Sequence, residues 1–584
     1  MNIIDRDVLK AIKKYSYTNQ RTLAELSGLS IGAVNAALER LTNEKMLDSS
    51  MRLTEKALEE FKKNSPRNAV ILAAGYGSRM IPINYSVPKA LLEVNKETLI
   101  ERLIRQLHKA GVNDISIVVG HLKEAFEYLI DLYGVKLIIN LDYYSKNNLH
   151  SLRLAADKLS NTYIVPCDIW CAKSPFDKDE LYSWYSVSNR QNSTSEVRIN
   201  RKRELVFSKE MGNTMIGIAY LCDRDSSILC SRLKEFDSDP ANSELFWESA
   251  LYQGGKMMIH GKLLSEIEFF EINTYEQLRE LDDNSPVLRN EIIGRLASIL
   301  DVQPQDITDI QVLKKGMTNR SFIFSCKGNR FIMRIPGEGT NKLINRQQEA
   351  EVYKAISGKG ICDDVIFIDP ESGYKISSYI EGARVCDPSN RYDVERCIEK
   401  LRSFHKMRLS VGHRFDLFKQ ITFYDRLRSG APSIYKDHAD TTRNVFSLKE
   451  YIDAHALPFV LTHIDAVPDN FIFSRTTDGK EALQLTDWEY AGMQDPHVDI
   501  AMFSIYSLYD RKQADDLIDL YFEGACDKET RIKIYCYISV CGLLWSNWCE
   551  YKRLLGVDFG EYALRQYRYA KEFYRIAKEM MNDE

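Results

Sequence analysis

The chain has 584 residues, 44% of them hydrophobic, and a formal net charge of −5, which predicts several domains with ordinary cores. Slight acidity argues against whole-chain affinity for nucleic acid or a membrane surface and leaves room only for a local basic patch. No apolar run approaches the ~18–20 residues of a membrane span, so no membrane insertion is expected. Met1–Lys14 lacks the apolar centre of a signal peptide. The 12 cysteines are scattered without a C-x-x-C pair. Cys167 and Cys171 have no second pair nearby to complete a zinc site, so reduced thiols and a cytoplasmic location are expected.

Residues 1–63 predict three short helices. Ile4, Val8, Leu9 and Ile12 recur at helical spacing, and Thr22–Leu26 is a second helix. Ser30 is a fair N-cap for a third, Ile31–Leu41, with Val34, Leu38 and Leu41 inward. With Met46-Leu47 and Met51-Arg52-Leu53-Thr54 behind it, the pattern resembles a winged helix-turn-helix. That resemblance implies a third helix in the major groove and a hairpin wing on the backbone. The outward residues of that helix, Asn35, Glu39 and Arg40, are a thin phosphate-contact set. DNA binding and a structural or protein-binding use therefore both stay open. Lys62-Lys63-Asn64-Ser65-Pro66 reads as a polar linker.

The segment 67–283 starts with an apolar strand, Ala69–Leu72, that breaks into Ala73, Ala74, Gly75, Gly77 and Ser78. Small residues let backbone N–H groups close on an anion. Arg79 and Lys89 add fixed positive charge, and Pro88 stiffens the approach to Lys89. The joint pattern L-A-A-G-x-G-S-R followed by P-K resembles the signature of sugar-phosphate and phosphocholine nucleotidyltransferases. It implies a nucleotide cradle from Leu72 to Ser78, with Arg79 and Lys89 as catalytic charges. Helical and strand-like stretches then alternate: Leu99–Ala110, Ile115–Val119, Leu122–Leu132 and Val135–Ile139. They predict an α/β, Rossmann-like parallel sheet with ligands at the carboxyl ends of its strands. Asp168 sits just past the strand Tyr163–Cys167, where a carboxylate can hold Mg²⁺ against a triphosphate, and its place matches the family's metal aspartate.

Asn147–Leu152 resembles the N-N-x-x-S-L segment of phosphocholine cytidylyltransferases. Phe246-Trp247-Glu248 resembles their aromatic-acidic segment, which implies Trp247 facing a quaternary ammonium and Glu248 balancing its charge. A core position for Trp247 is an equal alternative. Phe269–Thr274 resembles the family's E-I-D-[ST] segment, whose Asp is a second metal ligand. Asn273 stands at that position here. Its amide oxygen can ligate Mg²⁺ but brings no charge, and Glu271 is the expected compensation. The resemblance covers about Arg67–Asp283 and implies CTP and phosphocholine as substrates.

Asn284-Ser285-Pro286 reads as a second linker, and the segment 290–584 follows. A strand–loop–strand over Val312–Ile335 bends at Gly316 and can fold over a triphosphate through Gly316, Thr318 and Asn319. Arg334, on its second strand, stands where related folds often carry Lys, and its fork can bind phosphate oxygens. Glu349, on the helix Arg346–Ile356, is its candidate partner; the alternative is a solvated surface pair. Leu461–Phe471 has the H-x-D-x-x-x-x-N frame of a kinase catalytic loop. Asp465 is then the acceptor of the substrate's hydroxyl proton and Asn470 a Mg²⁺ ligand. Asp487 corresponds to the second metal aspartate, and Asp499 is expected to brace the catalytic loop.

This pattern resembles bacterial choline kinases within the aminoglycoside-phosphotransferase-like superfamily, implying an α+β, protein-kinase-like fold. Leu543–Trp548 resembles the W-x-x-W segment that lines the choline pocket. Trp545 and Trp548 share a helix face, and indole faces attract a quaternary ammonium. Tyr490 is placed to close the box, and Trp548 also reads as core. The resemblances together imply a multidomain, bifunctional enzyme with Mg²⁺ as cofactor. It phosphorylates choline with ATP, then transfers CMP from CTP to phosphocholine, giving CDP-choline and pyrophosphate. Three alternatives stay open: the same steps on ethanolamine or another amino alcohol, an aminoglycoside kinase, or a metabolite-sensing transcriptional regulator with partly vestigial catalytic domains.

Overall fold

The computed structural model describes residues 1–313, 319–337, 343–362, 365–476, 479–555, 557 and 559–582. Its internal contacts form two units. One is Met1–Gln305 with Ile310–Val312, and the other is Asp306–Asp309 with Leu313–Glu584.

The first unit begins with four helices, α1 (Ile3–Tyr15), α2 (Gln20–Ser27), α3 (Ile31–Asn43) and α4 (Glu55–Asn64). Asn2, Asn19, Ser30 and Thr54 cap them, each side-chain oxygen accepting a backbone N–H of its helix's first turn. Leu47 and Leu53 pair across the wing. Val8, Leu9, Val34, Leu38 and Leu41 fill the centre, and the same apolar cluster continues into the sheet that follows. The module is therefore not tethered by a free linker. Lys62 and Lys63 close the last turn of α4, whose Phe61 is buried. Beyond them, the Lys63 carbonyl accepts from Asn161 Nδ2 at 2.7 Å and the Asn64 carbonyl accepts from the Tyr220 hydroxyl. From α1, Lys10 Nζ lies 2.5 Å from Glu180 Oε2 and Lys13 Nζ 2.6 Å from Asp179 Oδ1. The Tyr182 hydroxyl donates to Asp7 at 2.8 Å.

The ten-stranded sheet of this unit opens with Lys136–Ile139, Asp114–Val119, Asn68–Ala73 and Thr162–Pro166, in that spatial order and all parallel. Gly212–Leu221 then joins antiparallel to Thr162–Pro166 and to Trp184–Asn192. The register Ile71↔Ile117 and Ile71↔Val165 makes Asn68–Ala73 an inner strand, buried on both faces. That is why it reads as a continuous apolar run. The carboxyl ends of Asn68–Ala73 and Thr162–Pro166 meet at one edge, where ligands of open α/β sheets bind. The helix Glu291–Leu300 belongs to this unit, although the sequence sets it beyond the second linker. Asn284–Pro286 is not a free connector: Ser285 is buried and its hydroxyl donates to the Glu93 carbonyl at 2.5 Å.

The second unit carries the antiparallel strands Asn319–Cys326, Asn329–Pro336, Lys375–Ser378 and Phe367–Ile368, with the helix Arg346–Ile356 beside them. A mostly helical half follows. Within it, Val460–Thr462 pairs with Gly492–Gln494, and Phe471–Arg475 with Glu481–Leu485. Its longest helix, Lys528–Leu554, packs along Glu561–Asn582. A Cβ at Gly542 would fall 2.7 Å from the Gln566 carbonyl, so the close approach of these helices requires glycine there. Among the described residues, no helix is long and apolar enough to cross a membrane.

Candidate functional sites

In the first unit, Gly77 stands at φ +65 before the short turn Ser78–Met80, a left-handed conformation that favours glycine. Leu72, Ala73 and Ala74 are buried at the end of their strand, and Gly75 continues the loop. The Ala74 carbonyl accepts from the His121 amide at 3.1 Å. Past the neighbouring strand end lies Asp168. Lys89 Nζ is 2.5 Å from Asp168 Oδ2 and 2.7 Å from Asn273 Oδ1. Arg79 Nη2 donates to the same Asn273 oxygen at 3.0 Å, while Asn273 Nδ2 donates to Glu271 at 2.6 Å. The Ile272 amide donates to the Asp168 carbonyl at 2.9 Å and ties the two segments together. Arg79, Lys89, Asp168 and Asn273 thus form one constellation at the sheet edge. Its carboxylate and amide oxygens converge on one ammonium. Hard oxygen donors of this kind suit Mg²⁺ shared with phosphate oxygens.

Trp247 is 1% exposed and packs against Tyr185, ring centroids 5.9 Å apart, inside an apolar cluster. Of its two readings, the structure places it in the core. Beside it, Glu248 Oε1 accepts from the Tyr185 hydroxyl at 3.0 Å, whereas Oε2 is buried with no hydrogen-bond partner. Burial pushes this carboxyl up to about 7. Asn148 accepts the Trp247 amide at 2.8 Å, which joins the Asn147–Leu152 segment to the same wall.

On the helix-turn-helix, Asn35 and Glu39 are exposed on α3. Arg40 is not free for phosphate: its Nη2 and Nε lie 2.7 and 3.0 Å from Asp5 Oδ1.

The second unit holds a cavity of about 800 Å³ between its sheet and its helical half. Gly316 and Thr318 lie outside the described residues; Asn319 opens its strand. Arg334 and Glu349 form a buried, two-pronged pair at 2.5 and 2.8 Å rather than a solvated one. Arg346 reaches the same carboxylate at 3.0 Å. The catalytic loop is held from below. Asp499 accepts the His463 amide at 2.9 Å and the Ile464 amide at 2.7 Å, and His405 lies 3.0 Å from it. These bonds hold Ile464 at φ +69, a strained conformation for a β-branched residue.

Asn470 Nδ2 donates to the Asp465 carbonyl at 2.8 Å and to its carboxylate at 3.1 Å. That orientation leaves the amide oxygen of Asn470 as its atom for a cation, and Asp487 lines the same cavity. Burial, reinforced by Asp487 and Glu489, pushes Asp465 up to about 8. Among the described residues, no three His, Cys, Asp or Glu side chains form a metal cluster by themselves.

The other wall of the cavity is aromatic. Tyr490 and Trp545 meet edge to face at 5.6 Å, and Trp545 and Trp548 at 5.5 Å. Trp545 Nε1 donates to Met502 Sδ at 3.1 Å, which fixes the ring. Tyr506 and Tyr562 add further rings, and the Tyr506 hydroxyl donates to Asp469 at 2.5 Å. Glu489, Lys375, Asp469, Tyr506 and Tyr562 were not singled out by the sequence reading. Of these, Glu489, two residues after Asp487, and Asp469, one before Asn470, had a local signal.

Three family models match the chain: a winged helix-turn-helix DNA-binding model over residues 1–46, a MobA-like NTP transferase domain over 69–176, and choline/ethanolamine kinase over 310–535. The chain is similar to the choline-phosphate cytidylyltransferase of Streptococcus pneumoniae, 31% identical over 229 residues, which are 38% of this chain and 99% of that protein. It is also similar to the 2-aminoethylphosphonate cytidylyltransferase of Lancefieldella rimae, 32% identical over 199 residues, 32% of this chain and 78% of that protein. Among solved structures, choline kinase LicA from Streptococcus pneumoniae is 27% identical, covering 49% of this chain and 98% of that one with a TM-score of 0.43.

Proposed function

Because the chain belongs to the choline-phosphate cytidylyltransferase family and adds to it a winged helix-turn-helix and a choline/ethanolamine kinase domain, we propose that it performs two consecutive steps. It phosphorylates choline with ATP, then transfers CMP from CTP to the phosphocholine formed. One observation carries this reading. Asp465, Asn470 and Asp487 share a single cavity with Tyr490, Trp545 and Trp548, so phosphoryl-transfer groups face a box for a cation without N–H donors.

In the kinase step, Asp465 accepts the proton of the choline hydroxyl as its oxygen attacks the γ-phosphorus, and ADP leaves. A carboxyl lifted to about 8 is well matched to a base working near neutrality. Trp545 and Tyr490 hold the trimethylammonium by cation–π attraction, with Trp548 behind. Ethanolamine has three N–H donors and gains less from rings than from oxygen acceptors, so the aromatic wall favours choline.

In the transferase step, a phosphate oxygen of phosphocholine attacks the α-phosphorus of CTP, and pyrophosphate leaves. The acceptor is already an anion and needs no base. Gly75–Ser78 cradle the triphosphate, and Arg79 and Lys89 meet its charge. Glu248 balances the ammonium of the acceptor, and Trp247 packs in the core beside it, against Tyr185. Asp168 with Asn273, and Asn470 with Asp487, would hold Mg²⁺, which would supply charge neutralisation on the transferring phosphates. Both steps belong to cytoplasmic nucleotide pools. Incubation of the purified chain with choline, ATP, CTP and Mg²⁺, read by mass spectrometry, tests the proposal. Phosphocholine and CDP-choline are the expected products, and their absence overturns it.

A further inference from the structure

An asparagine in the transferase centre changes what its neighbours have to do. A carboxylate at position 273 would present two equivalent oxygens. The side chain of Asn273 has two unlike ends, an oxygen that accepts and an NH₂ that donates. It is 9% exposed, so both ends need a partner. Lys89 and Arg79 have donors only, and they lie 2.7 and 3.0 Å from Oδ1. An ionised carboxylate has acceptors only, and Glu271 accepts from Nδ2 at 2.6 Å. Each end meets the one kind of group that suits it. Turning the amide over would set donor against donor and acceptor against acceptor.

The two sides are not equally durable. Lys89 and Arg79 are the charges that meet the triphosphate, and once they turn to phosphate, Oδ1 loses both donors. Glu271 stands at the other end of the amide. It closes the strand Phe269–Glu271, which pairs with Ile169–Cys171 and sets Glu271 opposite Ile169. The backbone beyond it is pinned as well. The Ile272 amide donates to the Asp168 carbonyl at 2.9 Å, and the Asn273 amide donates to Gln277 Oε1 at 2.7 Å. With the backbone fixed, the last torsion of the Asn273 side chain is what can still turn, and such a torsion is broad. Glu271 is the contact that holds it.

We propose that Glu271 is a positioning residue of the transferase centre, which keeps the Asn273 amide with its oxygen on the side of Asp168. The proposal rests on the transferase reading. Glu271 then makes up for the missing carboxylate by aiming a neutral ligand, not by serving as one. Glu271 is itself exposed, so water competes for the bond, and its worth belongs in the range of ordinary hydrogen bonds.

The test is a double-mutant cycle read as CTP affinity with and without Mg²⁺, by calorimetry on the full chain. Phosphocholine is left out, so contacts with the acceptor play no part. The quantity compared is the rise in CTP affinity on adding Mg²⁺. Glu271→Leu is expected to cut that rise about threefold to tenfold, the span of an ordinary hydrogen bond, and to leave metal-free CTP binding within about twofold. Glu271→Gln, which still offers an oxygen to Nδ2, is expected to keep most of the rise. In a chain carrying Asn273→Asp, Glu271→Leu is expected to cost nothing, because either oxygen of an aspartate serves and no N–H is left to hold. Equal cost in both backgrounds overturns the proposal and makes Glu271 structural or a mere local charge. No cost in the unaltered chain, or an equal loss of metal-free CTP binding, overturns it too. A CTP affinity that does not rise with Mg²⁺, or that rises as much in Asp168→Ala, overturns the cation site of the transferase reading and Glu271 with it, an outcome distinct from failure at Glu271 alone.

Discussion

The two catalytic centres face related chemistry, an oxygen attacking a polyphosphate, with opposite arrangements of charge. Around Lys89 the transferase centre gathers two cations, Arg79 and Lys89, onto one carboxylate, Asp168, and one amide, Asn273. The kinase cavity is crowded with acids: Asp465, Asp487 and Glu489 line it, and Glu349 is buried behind Arg334. The difference follows from the acceptor. A phosphate monoester arrives already charged, so its site has to offset negative charge. A choline hydroxyl arrives neutral, so its site needs a base, and burial, reinforced by Asp487 and Glu489, lifts Asp465 to about 8.

The sharpest way to break this comparison is to remove one acid from each side. Asp465→Asn is expected to lower phosphocholine formation by roughly 10²–10⁴-fold, the range for a general base, and to leave CDP-choline formation from supplied phosphocholine unchanged. Asp168→Ala is expected to do the reverse. Product analysis by mass spectrometry on both variants checks it, and loss of both reactions from either single change in a folded chain would show one shared centre.

Trp545→Ala is expected to lower kcat/KM for choline about thirtyfold, or about 2 kcal/mol for a desolvated cation, and to affect ethanolamine less. Steady-state kinetics on both substrates decide it; equal losses make Trp545 structural. Lys10→Met is expected to reduce stability by roughly 3 kcal/mol, because it strips the principal cation from a buried Glu180 and so loosens α1 from the sheet unit. Denaturant unfolding of the full chain measures it, and an unchanged midpoint would show that α1 is only resting on that surface.

Glu248 offers a smaller, pH-dependent effect. Burial raises its folded value to about 7, so the carboxyl gains its charge as pH rises through that value. Phosphocholine KM is therefore expected to fall severalfold between pH about 6 and about 8, and Glu248→Gln to flatten that profile. The same shift makes stability fall as pH rises from the ordinary carboxylate range to about 7, where the folded state binds the extra proton, and the loss is complete above that value. The smallest expected effect is on DNA. With Arg40 paired to Asp5, fluorescence anisotropy at moderate salt is expected to show weak, sequence-independent binding by the full chain. Tight, sequence-specific binding would restore the regulator reading.

Much of this was legible in the linear chain because it is local. The glycine loop at Gly75–Gly77, the H-x-D frame at His463–Asn470 and the paired tryptophans are short patterns whose chemistry depends on neighbours in sequence. Helix α3 was legible from its apolar spacing and its Ser30 cap. Three matters were decided only by the tertiary structure, because each depends on what a side chain meets far away in sequence. Trp247 is core because Tyr185 packs against it. The polar stretch around Lys62–Asn64 ends a packed helix because Asn161 and Tyr220 bond its last carbonyls. Arg334 meets Glu349 as a buried pair rather than a solvated one because the helix Arg346–Ile356 brings that carboxylate to its strand. Sequence alone determined which chemistry is present; long-range packing and hydrogen bonding decided which charges are free to perform it.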